Sequence, residues 1–199
     1  MEVEVPDYNI ESEVEVDPDR FVLLILDMQN DFVHPDGALY NPDAEETIDK
    51  IARFARRARE AGVPVWHTQD THRKGDTEFD IWGEHCRKDT WGWEIVDKLT
   101  PQEDDLVFQK PRYDAFYGTD LDQQLREHDR EGLIMAGTVA NICVHYTAAS
   151  AGHRFMDVVL PIDLISALDE FDYHSTLRQV NWLYQAKLVE QDDLTFPSN

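Results

Sequence analysis

The sequence predicts an α/β fold in three layers, with helices on both faces of a six-stranded, mainly parallel sheet. Short apolar runs alternate along the chain with stretches of helical periodicity, and repeated strand–helix units form parallel sheets that are covered on both sides. The run Phe21–Leu26 (FVLLIL) is apolar at every position, which is typical of a strand buried on both faces. With 199 residues, the chain is long enough for one such domain.

The first helix is predicted over residues 43–61, where the apolar side chains recur on one helical face. Asp43 and Glu46 can form a capping box at its start, and Gly62 is placed to end it. Further strands are predicted at 63–68, 105–108, 132–136, 158–160 and 187–189. Further helices are predicted at 119–129, 142–154 and 173–185.

The segment 1–20 differs from the rest of the chain. It alternates Glu with Val and ends in Asp17-Pro18-Asp19. We interpret it as an acidic N-terminal extension that forms either an extra edge strand or a wrapping arm. Residues 21–199 contain no internal repeat and no linker-like stretch, so they are predicted to form a single domain.

The composition is strongly acidic, with 41 Asp and Glu against 18 Lys and Arg, a formal net charge of -23. Such a surface repels nucleic acid phosphates and anionic membranes, so neither is expected as a partner. Two explanations of the acidity stay open. It could serve solubility, or it could be a halophilic adaptation to molar salt, where self-repulsion is screened. The excess of Arg over Lys favours the second.

Cys86 and Cys143 are the two cysteines of the chain, so a disulfide framework is not the expected source of stability. The sequence opens with no charged-then-apolar leader and has no apolar run of the ~18 residues that span a bilayer. A cytoplasmic location in a reducing environment is therefore expected.

Chemically capable side chains are predicted to meet at one edge of the sheet. In open parallel sheets, ligands bind beyond the carboxyl ends of the strands. Asp27 follows the first predicted strand, Asp70 and His72 follow the second, and Lys110 follows the third. Cys143 follows the fourth, at the start of a helix. A helix N-terminus favours a thiolate and offers N–H groups to an oxyanion.

Each of these residues also has a plainer interpretation. Cys143 could be a buried, inert cysteine, Asp27 a helix cap, and Lys110 a solvated lysine. Asp27 could also be the nucleophile of a haloacid dehalogenase-like phosphatase. That chemistry requires a second Asp at the position where this chain has Gln29, so the phosphatase hypothesis is weak.

Three segments carry a resemblance to a known family. LDMQNDF, KPRYDAFYGTDL and GTVANICV resemble, in the same order, the signature stretches of the isochorismatase-like cysteine hydrolases, which include nicotinamidases. The similarity extends over residues 21–190. It implies the Rossmann-like isochorismatase fold with a six-stranded parallel sheet, a single hydrolase domain over 21–199, and the catalytic residues Asp27, Lys110 and Cys143.

The resemblance implies further features of the site. The peptide bond before Val139 is expected to be cis, so that the N–H groups of Val139 and Cys143 bind the oxyanion. Phe32 and Trp82 resemble the aromatic residues that sandwich the ring in nicotinamidases. Because relatives are commonly homo-oligomeric, we also expect a homo-oligomer.

The resemblance also implies a metal. Asp70 and His72 match the Asp-x-His pair of nicotinamidases, and Trp82, His85 and Cys86 match a Trp-x-x-His-Cys pattern. Asp70, His72 and His85 would then bind a divalent metal, Zn foremost, with Fe or Mn as alternatives. No organic cofactor is expected. The two histidines could instead be loop residues without a metal, and Cys86 could be a fourth ligand or a packed core residue.

The function that the sequence favours is that of a cysteine amidohydrolase, which converts a small amide into an acid and ammonia through a thioester. Nicotinamide is the first choice of substrate. N-Carbamoylsarcosine, ureidoacrylate or a similar carbamoyl compound is the alternative. Isochorismate is disfavoured because its hydrolysis proceeds in relatives that lack a nucleophilic cysteine. A different class of function, a non-catalytic acidic scaffold that binds a partner, stays open.

Overall fold

The computed structural model describes residues 4–197, so the ends of the predicted segments 1–20 and 21–199 lie outside the described residues. The strands are β1 (Ile10–Glu11), β2 (Val14–Glu15), β3 (Phe21–Leu26), β4 (Val65–Asp70), β5 (Val107–Lys110), β6 (Gly132–Gly137), β7 (Asp157–Pro161), β8 (Lys187–Val189) and β9 (Leu194–Thr195). The helices are α1 (Asn30–Val33), α2 (Pro42–Glu60), α3 (Phe79–Trp82), α4 (Leu121–Glu127), α5 (His145–His153) and α6 (Glu170–Tyr184).

The main sheet has the order β1-β8-β7-β6-β3-β4-β5, and every neighbouring pair in it is parallel. The predicted α/β class with a parallel sheet is therefore confirmed. The predicted count of six strands is wrong by one. The seventh strand is β1, in which Ile10 and Glu11 pair with Leu188 and Val189 of β8.

The extension therefore contributes in part an edge strand, as one of its two interpretations proposed. A second small sheet forms where β2 pairs with β9. The division of the chain into an extension and one domain stays a prediction. Among the described residues, no helix has the length and apolar character needed to cross a membrane.

Alternate residues of β3 face two apolar layers. Val22, Leu24 and Leu26 belong to the cluster that also holds residues of α4, α5 and α6. Leu23 and Ile25 belong to the cluster that holds the buried face of α2. A strand covered in this way is apolar at every position, which explains the unbroken run in the sequence.

Helix α2 begins one residue earlier than predicted, and its cap differs. The side chain of Asn41 accepts a hydrogen bond from the backbone N–H of Asp43 at 3.1 Å, and Pro42 occupies the first helical position. The predicted capping box of Asp43 and Glu46 is therefore wrong, because Asn41 already caps the helix. Gly62 follows the helix with φ +88°, consistent with its predicted place at the end.

The order in which strands are added to the sheet reverses between β3 and β6. From β3 the chain adds β4 and β5 on one side, and it then returns to place β6 on the other side of β3. Such a switch point opens a crevice beyond the carboxyl ends of the two strands. Gly137 allows their close approach: its φ is +118°, and a Cβ atom there would lie 2.2 Å from the Leu26 carbonyl oxygen.

Candidate active site

Four adjacent strands, β6, β3, β4 and β5, end at this crevice. Asp27 directly follows β3, Asp70 is the last residue of β4, and Lys110 is the last residue of β5. Cys143 lies in a π-helical turn, Ala140–Val144, that follows β6. The structure thus brings together these four of the five side chains that the sequence places at one edge of the sheet.

The ammonium group of Lys110 is the centre of this cluster. Its Nζ lies 2.8 Å from Asp27 Oδ2 and 3.3 Å from Asp70 Oδ1. It also lies 3.5 Å from Cys143 Sγ and donates to the Arg112 carbonyl oxygen at 3.1 Å. The side chain is fully buried. Burial lowers the pKa of Lys110, but the two carboxylates outweigh burial, so this pKa lies well above its usual value.

The carboxyl group of Asp27 is held on its other side by Thr68. The Thr68 hydroxyl donates to Asp27 Oδ1 at 2.7 Å and lies 3.2 Å from the backbone N–H of Asp27, from which it accepts. Burial raises the pKa of Asp27, and Lys110 opposes the rise. The backbone of Asp27 has φ 51°, a conformation that is uncommon for residues other than glycine and that occurs where surrounding contacts fix it.

Cys143 is 7% exposed, and its Sγ lies 3.5 Å from Lys110 Nζ. Burial raises the pKa of this thiol well above the usual value, and the Asp27 carboxylate adds to the rise. Lys110 opposes this rise. Cys143 lies in the π-helical turn that precedes α5, whose first regular turn starts at His145.

The peptide bond between Thr138 and Val139 is cis, as the family resemblance implies. The neighbouring segment contacts this turn closely: Ser166 Oγ donates to Thr138 Oγ1 at 2.8 Å, and the Ala140 N–H donates to the Ser166 carbonyl oxygen at 2.8 Å. Sequence reasoning did not identify Ser166, since nothing in its local pattern marks it.

Asp70, His72 and His85 form a group that could hold a metal ion, with one ligand atom from each within 4.8 Å of the others. All three are buried. His72 Nε2 lies 2.9 Å and His85 Nε2 lies 3.5 Å from Asp70 Oδ2. Burial raises the pKa of Asp70, but Lys110 and the two imidazoles outweigh it and lower that pKa.

The orientation of both imidazole rings fits a metal. His85 Nδ1 lies 2.8 Å from the Gly83 carbonyl oxygen and must donate to it, so a neutral ring presents the lone pair of Nε2 to Asp70. His72 Nδ1 lies 3.2 Å from Asp76 Oδ2, although without hydrogen-bond geometry. Carboxylates and carbonyls on the far nitrogen are typical of metal-binding histidines. Only a cation or a proton can sit favourably between these atoms.

Gln29 fixes the backbone of Asp70, one of the three possible metal ligands, by hydrogen bonds. Its side-chain Oε1 accepts from the Asp70 N–H at 2.7 Å, and its Nε2 donates to the carbonyl oxygens of Asp70 and Trp93, each at 2.9 Å. From the sequence, Gln29 served only to weaken the phosphatase hypothesis. Cys86 is fully buried, and its backbone N–H donates to Asp31 Oδ2 at 2.7 Å.

A cavity of about 230 Å³ opens directly above the thiol. Phe32 and Trp82, the predicted substrate-binding residues, both line it, together with Cys143 and Val139. Across its wall the Trp82 indole N–H donates to the Tyr113 hydroxyl at 2.9 Å. The volume lies below the 300–1,000 Å³ usual for drug-sized ligands, so the cavity suits a small molecule.

Glu78 also lines the cavity and was missed in the sequence. It is 5% exposed, and its closest basic partner is Arg112, whose Nε lies 3.6 Å from Glu78 Oε2. Burial raises the pKa of Glu78, and the Asp70 carboxylate adds to the rise. No strand pattern or motif surrounds Glu78 in the sequence, so nothing there marked it as a site residue.

Solved structures share this architecture. An N-carbamoylsarcosine amidase from Thermoplasma acidophilum matches with a TM-score of 0.80 and 32% identity, over 87% of this chain and 97% of that chain. The nicotinamidase/pyrazinamidase from Bacillus subtilis matches with a TM-score of 0.81 and 27% identity, over 86% and 100%. A pyrazinamidase of Pyrococcus horikoshii, solved in complex with zinc, matches with a TM-score of 0.81 and 28% identity, over 86% and 99%.

Curated relatives match at similar identity. Enterobactin synthase component B of Escherichia coli K12 is 33% identical over 171 residues, which is 84% of this chain but only 59% of that protein. The chain thus spans less than two thirds of the length of this relative. A ureidoacrylate amidohydrolase of Methylorubrum extorquens is 32% identical over 171 residues, covering 72% of this chain and 69% of that protein.

The sequence profile of the Isochorismatase domain matches residues 21–193. This range contains all the strand ends that build the crevice, as well as the cysteine turn and the group of possible metal ligands. The predicted membership of a family of hydrolases is thereby confirmed. The chain belongs to the isochorismatase family.

Proposed function

We propose that this protein is a cysteine amidohydrolase that converts a small neutral amide, nicotinamide in the first place, into an acid and ammonia. The contact that carries the proposal is the position of Lys110 Nζ, 2.8 Å from Asp27 Oδ2 and 3.5 Å from Cys143 Sγ. An acid and a thiol that share an ammonium group, with the thiol lining a cavity, are the parts of an activated nucleophile.

In the first half of the reaction, the Cys143 sulfur adds to the amide carbonyl carbon while Asp27 takes the thiol proton. This proton transfer moves the negative charge from the Asp27 carboxylate to sulfur, where Lys110 stabilises it. The N–H groups of Val139 and Cys143 bind the oxyanion. Asp27 then returns its proton to the nitrogen, the C–N bond breaks, and ammonia leaves an acyl thioester on Cys143.

In the second half, a water molecule enters the space that ammonia has left. Asp27, again ionised, takes a proton from this water as its oxygen attacks the thioester carbonyl. The C–S bond breaks, the acid leaves, and the proton passes from Asp27 to the sulfur. The thiol of Cys143 is thereby restored for the next turnover.

Asp70, His72 and His85 would hold a divalent metal, zinc foremost, at the wall of the same cavity. When bound, such an ion supplies a Lewis acid that can orient a substrate nitrogen or oxygen. The contribution of the protein is to orient the His85 ring through its hydrogen bond to Gly83 and to place the Asp76 carboxylate 3.2 Å from His72 Nδ1.

The charges of the cavity favour an uncharged substrate. Within the described part of the chain, the ionisable side chains at its wall include Asp70 and Glu78, and no Lys or Arg lines it. Before any metal binds, a substrate carboxylate would meet both of these like charges in a poorly solvated space, and beside a bound metal it would still meet Glu78. Nicotinamide carries no carboxylate, whereas N-carbamoylsarcosine and ureidoacrylate do.

A carbamoyl or ureido compound is the second candidate. It is supported by the N-carbamoylsarcosine amidase and the ureidoacrylate amidohydrolase, each 32% identical to this chain. For such a substrate, Arg112 would have to leave Asp76 and Glu78 to balance the substrate carboxylate.

The test is a panel of substrates read by ammonia release, with and without added zinc. Nicotinamide, N-carbamoylsarcosine and ureidoacrylate are compared at equal concentration, and isochorismate is followed separately by its loss. We expect turnover of nicotinamide to exceed that of both carboxylates. Faster release from either carboxylate would favour the second candidate, and loss of isochorismate alone would refute amide hydrolysis.

A further inference from the structure

Another cavity, of about 170 Å³, lies on the α2 face of the sheet, between α2, β4 and the turn 97–102. None of its lining residues lines the cavity above Cys143. Four of its lining side chains carry basic groups: Arg56, Arg59, Lys98 and His67. Within the described residues, no Asp or Glu lines it.

A positively charged cavity is unusual for this acidic protein. The chain has 41 acidic against 18 Lys and Arg residues, and three of those 18 line this one small cavity. Two of the three have acidic partners at its border: Lys98 Nζ lies 2.6 Å from Asp49, and an Arg59 nitrogen lies 2.5 Å from Asp105. Arg56 makes no ion pair with a described residue, so one positive charge is left in excess.

Two buried donors at this cavity also lack partners among the described residues. They are Nε of Arg59 and Nε2 of His67, and His67 is only 1% exposed. The nearest acid oxygen to His67 Nε2 is Asp105 Oδ2 at 3.4 Å. That oxygen already accepts from Arg59 and, at 2.8 Å, from the Gln102 N–H. Buried donors without acceptors are costly, and an acceptor inside the cavity would remove the cost.

We propose that this cavity is a binding site for a small tetrahedral oxyanion, either free phosphate or the phosphoryl group of a metabolite. Guanidinium groups offer paired donors whose geometry matches oxyanions, and Lys98 adds a point charge. The bound anion would join α2 to the turn 97–102 and to β4, the strand that carries Asp70 three residues beyond His67. The site is separate from the proposed amide hydrolysis.

The test is calorimetric titration of the full-length protein with inorganic phosphate, replacing chloride at constant ionic strength. We expect one saturable site. The double variant Arg56→Gln/Lys98→Gln is expected to weaken binding by about tenfold or more, because two charge-assisted contacts are lost. Both residues are exposed at the rim of the cavity, so the variant should fold, which its melting curve checks.

Arg53→Gln is the matched control, since it removes the same charge from an exposed position of the same helix, outside the cavity. It should leave the dissociation constant within about twofold of the wild type. Titration with glycerol 3-phosphate distinguishes the two ligand sources: tighter binding than phosphate indicates a phosphorylated metabolite, and equal or weaker binding indicates free phosphate. Absence of saturation in the wild type, full binding by the double variant, or equal weakening by Arg53→Gln would overturn the proposal.

Discussion

The buried charges around Lys110 depend on one another. Its ammonium group contacts two carboxylates, Asp27 and Asp70, and all three residues are at most 4% exposed. Removing one member of such a group leaves the other charges uncompensated in a poorly solvated site. This commonly destabilises a protein more than replacing the whole group with apolar residues does. Variants of the thiol are therefore cleaner probes of the chemistry than variants of Lys110.

Cys143→Ala should lower ammonia release by more than about a thousandfold, because the residue supplies the bond-forming atom. The substitution removes one sulfur beside the cavity and should leave the melting curve nearly unchanged. The measurement is single-time-point ammonia release over hours. Release at the wild-type rate would refute the covalent route.

The second cysteine provides the matched control. Cys86 is fully buried and, unlike Cys143, does not line the cavity, so Cys86→Ala should retain turnover. Iodoacetamide should modify Cys143 and block activity, whereas Cys86 should resist modification. If Cys143 reacted no faster than free cysteine near neutral pH, the non-catalytic scaffold would become the better hypothesis.

The dependence of kcat/KM on pH should report Asp27. Burial raises the pKa of this residue above its ordinary value of 3.8. Activity requires the ionised form, so it is lost as the pH falls through the raised value, and the acid limb should lie above pH 3.8. No basic limb from Lys110 is expected in the usual range, since the carboxylates outweigh burial and raise its pKa well above 10.5.

Thr68→Val tests the assignment of this limb. The Thr68 hydroxyl donates to Asp27 Oδ1 at 2.7 Å, which stabilises the ionised carboxylate. Its removal should therefore move the acid limb to higher pH. A limb that stays in place in this variant, but moves when the concentration of added zinc changes, would belong to the histidines instead.

His72→Ala should remove the metal and raise KM by about tenfold or more, the usual effect of altering a metal site. The measurement is metal content by elemental analysis after dialysis, with one ion per chain expected in the wild type. His153→Ala, at an exposed position at the end of α5, is the control and should retain the ion. Unchanged metal in His72→Ala would contradict the ligand assignment.

At the scale of the elements, the contact between β3 and β6 depends on Gly137. A Cβ atom at this position would lie 2.2 Å from the Leu26 carbonyl oxygen. Gly137→Ala should therefore separate the two strand ends that carry Asp27 and Cys143. We expect a loss of at least about 1 kcal/mol of stability together with loss of activity, measured by urea unfolding and ammonia release.

Gly62→Ala separates the steric effect from backbone strain. Gly62 also has a positive φ, +88°, but nothing lies within 4 Å of a Cβ atom there. It should lose less stability than Gly137→Ala and keep full activity. Equal losses in both variants would show that φ alone, and not the close approach of β3 and β6, sets the cost.

The sequence predicted the strand ends well because they are marked by local patterns. An unbroken apolar run ends immediately before Asp27, and shorter ones end near Asp70 and Lys110. The partners that hold these groups were not predictable in the same way. Thr68 acts from the middle of a strand and Glu78 from an unpatterned loop, so their roles depend on distances that only the folded chain defines.

The seventh strand was only one of two interpretations of residues 1–20, for a related reason. Ile10–Glu11 has two residues, too few for periodicity to show, and its partner β8 is far away in the sequence. The start of α2 was misplaced because Asn41 and Asp43 are both good caps. Only the orientation of the Asn41 side chain decides between them.

The whole molecule carries a net charge of -23, and this predicts a dependence on salt. Raising KCl from dilute to molar shortens the Debye length to about 3 Å and screens the self-repulsion of the folded state. The melting temperature should rise by roughly 5 °C or more, since each kcal/mol moves the midpoint of a chain of this size by about 2–4 °C. Sucrose at equal osmolarity screens no charge and is the control. The halophilic hypothesis fails if the two additives act alike.

The homo-oligomeric state stays a prediction. Large apolar side chains are exposed on α6 and beside α5, among them Trp182 at 62% and Phe155 at 96% exposure. Light scattering in molar KCl, where charged copies can approach one another, is the appropriate measurement. A monomer under these conditions would contradict the prediction.

The order of the strands also bears on how the chain acquires its activity as it folds. The groups around Lys110 come from β3, β4, β5 and the turn after β6, so they span residues 27–143 of the chain. Pairings between such distant segments form slowly, because the entropic cost of closing the loop comes before the contacts that stabilise it. A partly folded chain that lacks one of these strands cannot position Cys143 beside Lys110 and Asp27. During refolding from denaturant, catalysis should return together with the last phase of tertiary fluorescence, after the helical signal has recovered.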